Sequence, residues 1–332
     1  MPLPAEQMRA AGFQVNPPAT SEDIERLELA WGVTLPAEIH ALYLDHDGQP
    51  ESSGPNGEWL PYRLMSLGEV LERVEFLKSK ESIMNDLPEV RKEIIPLWTD
   101  DNSNDQVYFL TGMRKGMIGE ANHEAPWSIA PQFHSLPSFY KSMTSADSIE
   151  YEHTTDFPHD NEDDPARDVA YREAFSKFQQ SSDNAHLDYW SANVLNLCPP
   201  SRSIDLVNLL GLSSSIRYGN TAIEAARTLS LYQGEISIPF IVDALQTGQA
   251  DDMTLCSNLI ELIGSFGSDT ATQALWHLAC HATGYMSLYL GKPLKERGYE
   301  IQPLKDVTEK NFLGVKIIPP EGTDKAVTIL YK

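Results

Sequence analysis

The sequence contains few cysteines, few basic residues and no long apolar run. Three cysteines are too few for a disulfide framework, and the amino-terminal stretch has no apolar signal core, so we predict a cytoplasmic location. Only 25 lysines and arginines face 48 aspartates and glutamates, and the formal net charge is −23. Binding to nucleic acid or to an anionic membrane surface depends on basic side chains, so neither partner is predicted. No run of about 18 apolar residues occurs, so no membrane-spanning helix is predicted.

The composition is otherwise that of a globular protein. Hydrophobic residues make up 41% of the 332 residues, and charged residues make up 22%. A chain of this length buries a large apolar core without help from metals or disulfides, and at about 150 residues per domain it forms two or three domains. The acidity has two open explanations, which are solubility and attraction of a basic partner.

One stretch is typical of a domain boundary. The segment from Asp156 to Pro165 holds five acids and two prolines, as an exposed linker does. Acidity does not separate the two sides, because residues 1–150 carry 24 acids and 11 bases and the remainder carries 24 and 14. We predict four segments: a first domain at 1–150, an acidic linker at 151–166, a helical domain at 167–299, and a separate segment at 300–332.

Residues 1–150 show the pattern of an α+β domain, in which helices surround a small, mostly antiparallel sheet. Thr20 and Asp23 form a capping-box pattern before a helix that ends near Gly32. Pro36 suits the first turn of a second helix. The other predicted elements are a helix capped by Ser66, strands at 94–98, 106–110 and 117–120, a glycine turn at 112–116, and a closing helix whose face is Phe133, Leu136, Phe139 and Tyr140.

Residues 167–299 are predicted to be helical and to repeat. Leu195 matches Leu229 at a shift of 34 residues, and Leu229 matches Leu262 at 33. Each unit has an apolar helix, a turn rich in Gly, Pro or Ser, and a second apolar helix. Such a period is typical of an all-α solenoid, and HEAT-like repeats resemble this one most. The last segment predicts a short C-terminal β-hairpin, formed by residues 315–318 and 326–331.

Patterns for catalysis and metal binding are absent or weak. The sequence has neither a GxxxxGK[ST] phosphate loop nor a GxSxG nucleophile. His277, Cys280 and His281 are spaced to share one helical face, but no fourth ligand lies nearby, so packing explains them better than zinc. Acid pairs such as Asp100 and Asp101 lie in polar stretches, where a carboxyl group is not desolvated for acid–base work. We therefore predict no enzyme activity, no cofactor and no metal site.

An ordered series of motifs runs through the first domain. A helix with an acidic start begins at Thr20, Gly32 precedes Leu35-Pro36 and a second helix, and Asp47-Gly48 forms the next turn. Ile95-Pro96-Leu97 and Val107-Tyr-Phe-Leu110 follow in order. In this order the motifs resemble the SUKH superfamily, which is named partly for a yeast regulator of cell-wall assembly and is abundant in bacteria. The resemblance covers residues 15–145.

The resemblance implies a binding protein and brings no catalytic residues with it. Bacterial members are immunity proteins of polymorphic toxin systems, including contact-dependent and type VI secreted toxins. The implied partner is a cognate protein toxin, such as a nuclease or an ADP-ribosyltransferase, whose cleft for nucleic acid or NAD is basic. A dense acidic surface can occupy such a cleft, and electrostatic steering speeds the encounter.

Two alternatives stay open. A scaffold that joins host proteins would bind several unrelated partners. An enzyme that reverses the toxin's modification would neutralise at far less than one molecule per toxin, whereas occlusion needs nearly equal amounts.

The predicted contact surface consists of acidic loops and aromatic anchors in the first domain. Trp98 is a further aromatic candidate. The predicted partner-binding residues are Asp45, Asp47, Glu51, Trp59, Tyr62, Asp100, Asp101, Asp105 and Trp127.

Overall fold

The computed structural model divides into two compact units, Met1–Pro199 and Pro200–Lys332. The division places the first helices after the predicted linker in the first unit. The predicted linker at 151–166 falls almost wholly outside the described residues, so the domain limits stay a prediction. The described residues are 5–10, 12–50, 62–78, 87–101, 104–121, 129–143, 164–248, 252–282, 285–305, 312–320 and 325–330.

The first unit has the predicted α+β architecture, with helices around a five-stranded antiparallel sheet. Its helices are α1 (Ala5–Ala10), α2 (Ser21–Trp31), α3 (Ala37–Asp45), α4 (Leu67–Lys78), α5 (Pro88–Glu93), α6 (Leu136–Met143), α7 (Pro165–Gln180) and α8 (Asn184–Leu197). Its strands are β1 (Arg63–Leu64), β2 (Ile94–Thr99), β3 (Asp105–Phe109), β4 (Ile118–Ala121) and β5 (Ala130–Phe133).

Local sequence signals explain where α2 and α4 begin. The Thr20 hydroxyl accepts a hydrogen bond from the Asp23 backbone N–H at 3.2 Å, and the Asp23 carboxylate accepts one from the Thr20 N–H at 3.3 Å. This reciprocal pair is the predicted capping box. The same exchange joins Ser66 and Glu69 at the start of α4. Gly32 ends α2 with a φ of 76°, which glycine adopts without strain.

The sheet is a meander in which each strand pairs with the next, in the order β1-β2-β3-β4-β5. Gly119 of β4 lies opposite Pro131 of β5, and a Cβ atom at Gly119 would lie 2.1 Å from the Ala130 carbonyl oxygen. Only glycine therefore permits this close approach. The core joins apolar side chains of α2, α3, α4 and α6 with one face of the sheet, including Ile24, Tyr43, Val70, Trp98 and Phe139.

Two short strands were not predicted. β1 contains two residues, and β5 lies where the sequence analysis placed the start of the closing helix. Phe133 belongs to β5 and the helix begins at Leu136, although both side chains are buried as predicted. The short element lengths and the proline within β5 weaken the usual strand pattern.

Helix α8 covers the outer edge of the sheet at β5. The Asn193 side-chain amide donates to the Ile129 carbonyl oxygen at 2.9 Å and accepts from Arg114 Nη1 at 2.9 Å. Arg114, in the turn between β3 and β4, is only 2% exposed and also contacts Tyr189 and Glu93. These contacts make α8 part of the first unit, and they protect an edge that would otherwise be open to strand pairing.

The second unit consists of helices followed by a small sheet. The α-helices are linked by 3-10 turns at 200–206, 211–214, 216–218 and 234–237. The helices are α9 (Val207–Leu210), α10 (Gly219–Gln233), α11 (Ile238–Thr247), α12 (Met253–Ser265), α13 (Asp269–His281), α14 (Met286–Tyr289) and α15 (Gly291–Lys295). The strands are β6 (Glu300–Lys305), β7 (Phe312–Ile318) and β8 (Val327–Leu330).

Two helix pairs, α10 with α11 and α12 with α13, lie where the repeat pattern predicts them. α12 packs against α10 and α11, and α13 against α11 and α12. Leu229 and Ala271, two of the matched positions, are buried. The assignment to HEAT-like repeats stays a prediction.

The C-terminal segment forms three strands rather than two. β7 and β8 pair antiparallel as the predicted hairpin, and β6 pairs with the other side of β7. β6 was missed because it is largely exposed and contains Pro303, which is tolerated only because β6 is an edge strand.

Candidate functional site

A groove of about 430 Å³ lies on the first unit, between α4 and the edge of the sheet at β1 and β2. Glu69, Glu72, Arg73 and Phe76 face it from α4 at helical spacing, so one side of a single helix forms a wall. The opposite wall and the floor are formed by Arg63, Met65, Thr99 and Asp101.

The Arg63 side chain joins four chain segments at the floor of this groove. Its guanidinium binds the Asp101 carboxylate through Nε at 2.8 Å and Nη2 at 2.6 Å. It also binds Glu69 at 2.7 Å and donates to the Gln49 carbonyl oxygen at 3.1 Å. Arg63 is 6% exposed, so these partners compensate a nearly buried charge.

The two carboxylates in turn stabilise the charge on Arg63. Burial alone would lower the pKa of Arg63, but the hydrogen bonds that it donates to Asp101 and Glu69 raise its pKa above the usual value. Burial alone would raise the pKa of Glu69, but bonds from Arg63 and from Ser66 outweigh burial and lower it. Both groups therefore stay ionised at neutral pH.

The turn between β2 and β3 carries two of the predicted contact acids, Asp100 and Asp101, and a third, Asp105, begins β3. Asp101 adopts a left-handed backbone with a φ of 58°, which directs its carboxylate toward Arg63. Asp100 accepts hydrogen bonds from the backbone and the side-chain amide of Asn104, at 3.0 and 2.7 Å. Asp100 and Asp101 therefore shape this turn as well as making it acidic.

Asp105 is the most perturbed acid of the group. It is 7% exposed, and its Oδ2 atom lies 2.9 Å from Nε of Arg73. Burial raises its pKa to about 7, because desolvation outweighs the attraction of Arg73. This carboxyl group therefore titrates near neutral pH beside the groove.

Two other predicted acids, Asp45 at the end of α3 and Asp47 just after it, do not line the groove. Asp47 accepts a hydrogen bond from the Leu67 backbone N–H at 2.7 Å, at the start of α4. Burial raises the pKa of Asp47, although this hydrogen bond partly opposes the shift. The next residue, Gly48, has a φ of 75°, and a Cβ atom there would lie 2.6 Å from the Met65 backbone. Asp45 accepts from the backbone N–H of Ala5 at the start of α1.

The aromatic candidates are buried or lie outside the described residues. Tyr62 is 0% exposed and Trp98 is 1% exposed, and both belong to the core, where Trp98 packs edge-on against Phe139 at 5.0 Å. Neither ring is at the surface to act as an anchor. Trp59 and Trp127, and the acid Glu51, lie outside the described residues.

Of the residues that line the groove, the sequence analysis named only Asp101 as a contact residue. The residues it missed are Arg63, Met65, Glu69, Glu72, Arg73, Phe76 and Thr99. The Ser66-x-x-Glu69 capping pattern in the sequence predicts the start of a helix, but it does not predict that a groove lies beside that helix. Phe76 is 50% exposed although it lies in an otherwise amphipathic helix, and only the folded structure shows that its ring faces solvent.

The groove has the chemistry of a binding site for cationic groups. Three acidic side chains line it, Glu69, Glu72 and Asp101, against the two guanidinium groups of Arg63 and Arg73. The Thr99 hydroxyl lies within 3.4 Å of the Asn104 carbonyl oxygen and accepts from the Asp101 N–H at 3.2 Å. The Thr99 side chain also hydrogen-bonds with the Asp105 carboxyl group, so it ties the end of β2 to the start of β3.

The described residues contain no group of three or more His, Cys, Asp or Glu side chains placed to hold a metal ion. His277 and His281 lie side by side on α13, with ring centroids 4.7 Å apart, and Cys280 is exposed near them. His277 contacts the Gln246 side chain at 3.0 Å. Among the helices of the described part, none is long and apolar enough to cross a membrane.

The helices, the five-stranded meander and the acidic groove define the first unit as an α+β domain with a charged groove at one sheet edge. The model of the SMI1 / KNR4 family (SUKH-1) matches residues 18–133. The chain therefore contains a SUKH-1 domain, and the resemblance predicted from the ordered motifs is confirmed. The groove lies within the matched residues, whereas α7, α8 and the second unit lie outside them. A comparison with curated proteins found no match.

Proposed function

We propose that this protein is a bacterial immunity protein that binds a cognate protein toxin and covers the toxin's basic active site. The observation that carries the proposal is the SUKH-1 domain at residues 18–133, because domains of this family generally belong to immunity proteins. The protein would act in the cytoplasm, where such a toxin meets its substrates.

The electrostatics of the groove support binding as the mode of action. Asp101 and Glu69 together carry two negative charges against the one positive charge of Arg63, so this cluster stays net negative, and Glu72 adds a further acid to the groove. A nuclease or an NAD-handling toxin presents lysines and arginines around its cleft, since its substrate is anionic. The groove and the −23 charge of the chain complement such a cleft.

The proposed contact residues keep those predicted acids that lie beside the groove. Asp100 and Asp101 lie in the turn after β2, and Asp105, which is nearly buried, begins β3. Asp45 ends α3 and Asp47 follows it, and the contribution of these two acids is proposed as long-range attraction.

Co-expression tests this function. The gene immediately upstream of this one is expressed as the candidate toxin, alone and together with this protein. We expect growth arrest from the toxin alone, survival with both proteins, and a complex that co-purifies. If no complex forms although the cells survive, occlusion is wrong.

A titration separates binding from catalysis. Toxin activity is measured in vitro against increasing amounts of this protein. Occlusion predicts full neutralisation near one molecule per toxin, whereas an enzyme that reverses the toxin's modification would neutralise at far lower ratios. Binding to several unrelated proteins, with no toxin beside the gene, would favour the scaffold alternative.

A further inference from the structure

Helices α2 and α4 form a parallel pair on the surface of the first unit. At their N-terminal ends, Asp23 and Leu27 of α2 share a depression with Gly68 of α4. At their C-terminal ends, the Lys78 ammonium group donates to the Ala30 carbonyl oxygen. Both helices bury their inner sides in the core, so their outer sides form one continuous surface layer.

Two large apolar side chains project from this layer into solvent. Leu29 of α2 is 85% exposed and Phe76 of α4 is 50% exposed. Single exposed apolar residues are ordinary, but each of these two adjoins a depression. The groove of about 430 Å³ lies beside Phe76, and a shallow depression of about 420 Å³ lies beside Leu29. Packed helix axes lie about 8–10 Å apart, so one binding partner can cover both side chains.

Acidic side chains surround the two apolar residues. The spacing of Glu22, Glu25 and Leu29 places them on one side of α2, and the spacing of Glu72 and Phe76 does the same on α4. Glu75 is exposed next to Phe76. The acids of the layer are Glu22, Asp23, Glu25, Glu28, Glu69, Glu72 and Glu75.

Two of the three basic side chains of the same layer, Arg73 and Lys78, are already engaged. Arg73 pairs with Asp105 at 2.9 Å, and Lys78 binds the Ala30 carbonyl and lies over the Trp31 ring at 5.1 Å. Hydrogen bonds from Thr20 lower the pKa of Asp23, and the charge of the exposed Arg26 nearby adds a smaller lowering. The outer face therefore presents acid around two apolar side chains.

We propose that the outer face of the α2–α4 pair is the surface that binds the toxin, with Leu29 and Phe76 as anchors inside a ring of glutamates. The inference rests on the proposed function and adds the surface and the chemistry of its partner. The partner surface carries lysines and arginines around apolar pockets. Its basic residues would face the glutamates, and its pockets would receive Leu29 and Phe76. An apolar centre within a polar rim is the arrangement in which a few residues supply most of the binding energy.

The test measures binding of the upstream gene product to the full-length protein by surface plasmon resonance. The double variant Leu29→Gln and Phe76→Gln removes both anchors from exposed positions, where folding does not depend on them. We expect the Kd to rise at least about 100-fold, mainly through faster dissociation. The matched control is Leu231→Gln, at a leucine of α10 that is 71% exposed, and it should bind like the wild type.

A second variant separates charge from apolar contact. Replacing the four ring acids by glutamine should slow association at low salt at least about 10-fold and change dissociation less. The ring acids are Glu22, Glu25, Glu72 and Glu75. A control variant removes four exposed acids of the second unit, which are Glu235, Asp243, Glu261 and Glu296.

The outcomes distinguish this inference from the proposed function. A complex that forms with the wild type and is left intact by the anchor variant overturns the surface assignment and leaves the proposed function standing. Equal weakening by the anchor variant and by Leu231→Gln also overturns the assignment. If the wild type forms no complex, the proposed function fails and the surface assignment fails with it.

Discussion

Arg63 shows how a single buried side chain organises the groove. It binds Asp101, Glu69 and the Gln49 backbone, so replacing it with alanine would leave two carboxylates without their shared cation. We expect Arg63→Ala to lower the free energy of unfolding of the first unit by about 2–3 kcal/mol. The lower end of that range allows for Glu69, whose side chain is 40% exposed and screened by solvent.

Urea denaturation followed by circular dichroism and tryptophan fluorescence measures this loss. The matched control is Arg172→Ala, which breaks an exposed i,i+4 pair with Asp168 and should cost less than about 0.5 kcal/mol. Equal effects of the two substitutions would show that the Arg63 cluster adds nothing beyond a surface pair.

Asp105 makes the stability of the folded protein depend on pH. Burial raises the pKa of Asp105 to about 7 in the folded protein, against an ordinary value of 3.8 for this side chain. Between about pH 4 and pH 7 the folded state therefore holds a proton that the unfolded state has released, so the contribution of Asp105 to stability falls as pH rises through that window. Asp105→Asn removes this dependence.

Unfolding free energies of wild type and Asp105→Asn at pH 5 and pH 8 test the shift. From pH 5 to pH 8 we expect the variant to gain more than about 1 kcal/mol relative to the wild type, since one pKa unit corresponds to about 1.4 kcal/mol. Asp243→Asn, at an exposed acid of α11, is the control. A difference between wild type and Asp105→Asn that is the same at both pH values would contradict the raised pKa.

At the scale of elements, the packing of α8 on β5 extends the first unit beyond the matched family residues. Asn193 is 0% exposed and joins Ile129 to Arg114 through its two amide atoms. We expect Asn193→Ala to cost about 2–3 kcal/mol, because it leaves the buried Arg114 guanidinium and a carbonyl oxygen with fewer partners. Hydrogen exchange should show faster exchange in β5 and α8. The control, Asn208→Ala, removes an exposed bond to the Asp205 carbonyl and should leave exchange in β5 unchanged.

At the scale of the whole molecule, the charge of −23 predicts a salt-dependent encounter with a basic toxin. We expect the association rate to fall about 10-fold between roughly 0.05 and 0.5 M NaCl, because added salt screens the long-range attraction. The dissociation rate should change less, since contacts at close range set it. Stopped-flow fluorescence measures both rates. If the association rate does not change with salt concentration, the acidic residues contribute to solubility and not to binding.

The parts of the fold that could be predicted are those with a local cause. The capping pattern at Thr20 and Asp23 predicted α2, and the β-rich run before Leu110 predicted β3, because neighbouring residues supply the interactions that favour these elements. β1 and β5 could not be predicted, since each is short and forms through pairing with another strand. The candidate site shows the same division. The sequence predicted Asp101 as an acid in a turn, but it did not predict the ion pair between Asp101 and Arg63.

The amino-acid sequence by itself determined the class of the first domain, the helical character of the region that follows it and the acidity of the whole chain. Those properties depend on composition, on spacing and on contacts between near neighbours. Tertiary structure decided which acids neutralise arginines and which face solvent, and it placed Tyr62 and Trp98 in the core while Leu29 and Phe76 stayed exposed. Those assignments depend on residues far apart in the chain, because burial and charge pairing are properties of the folded surface.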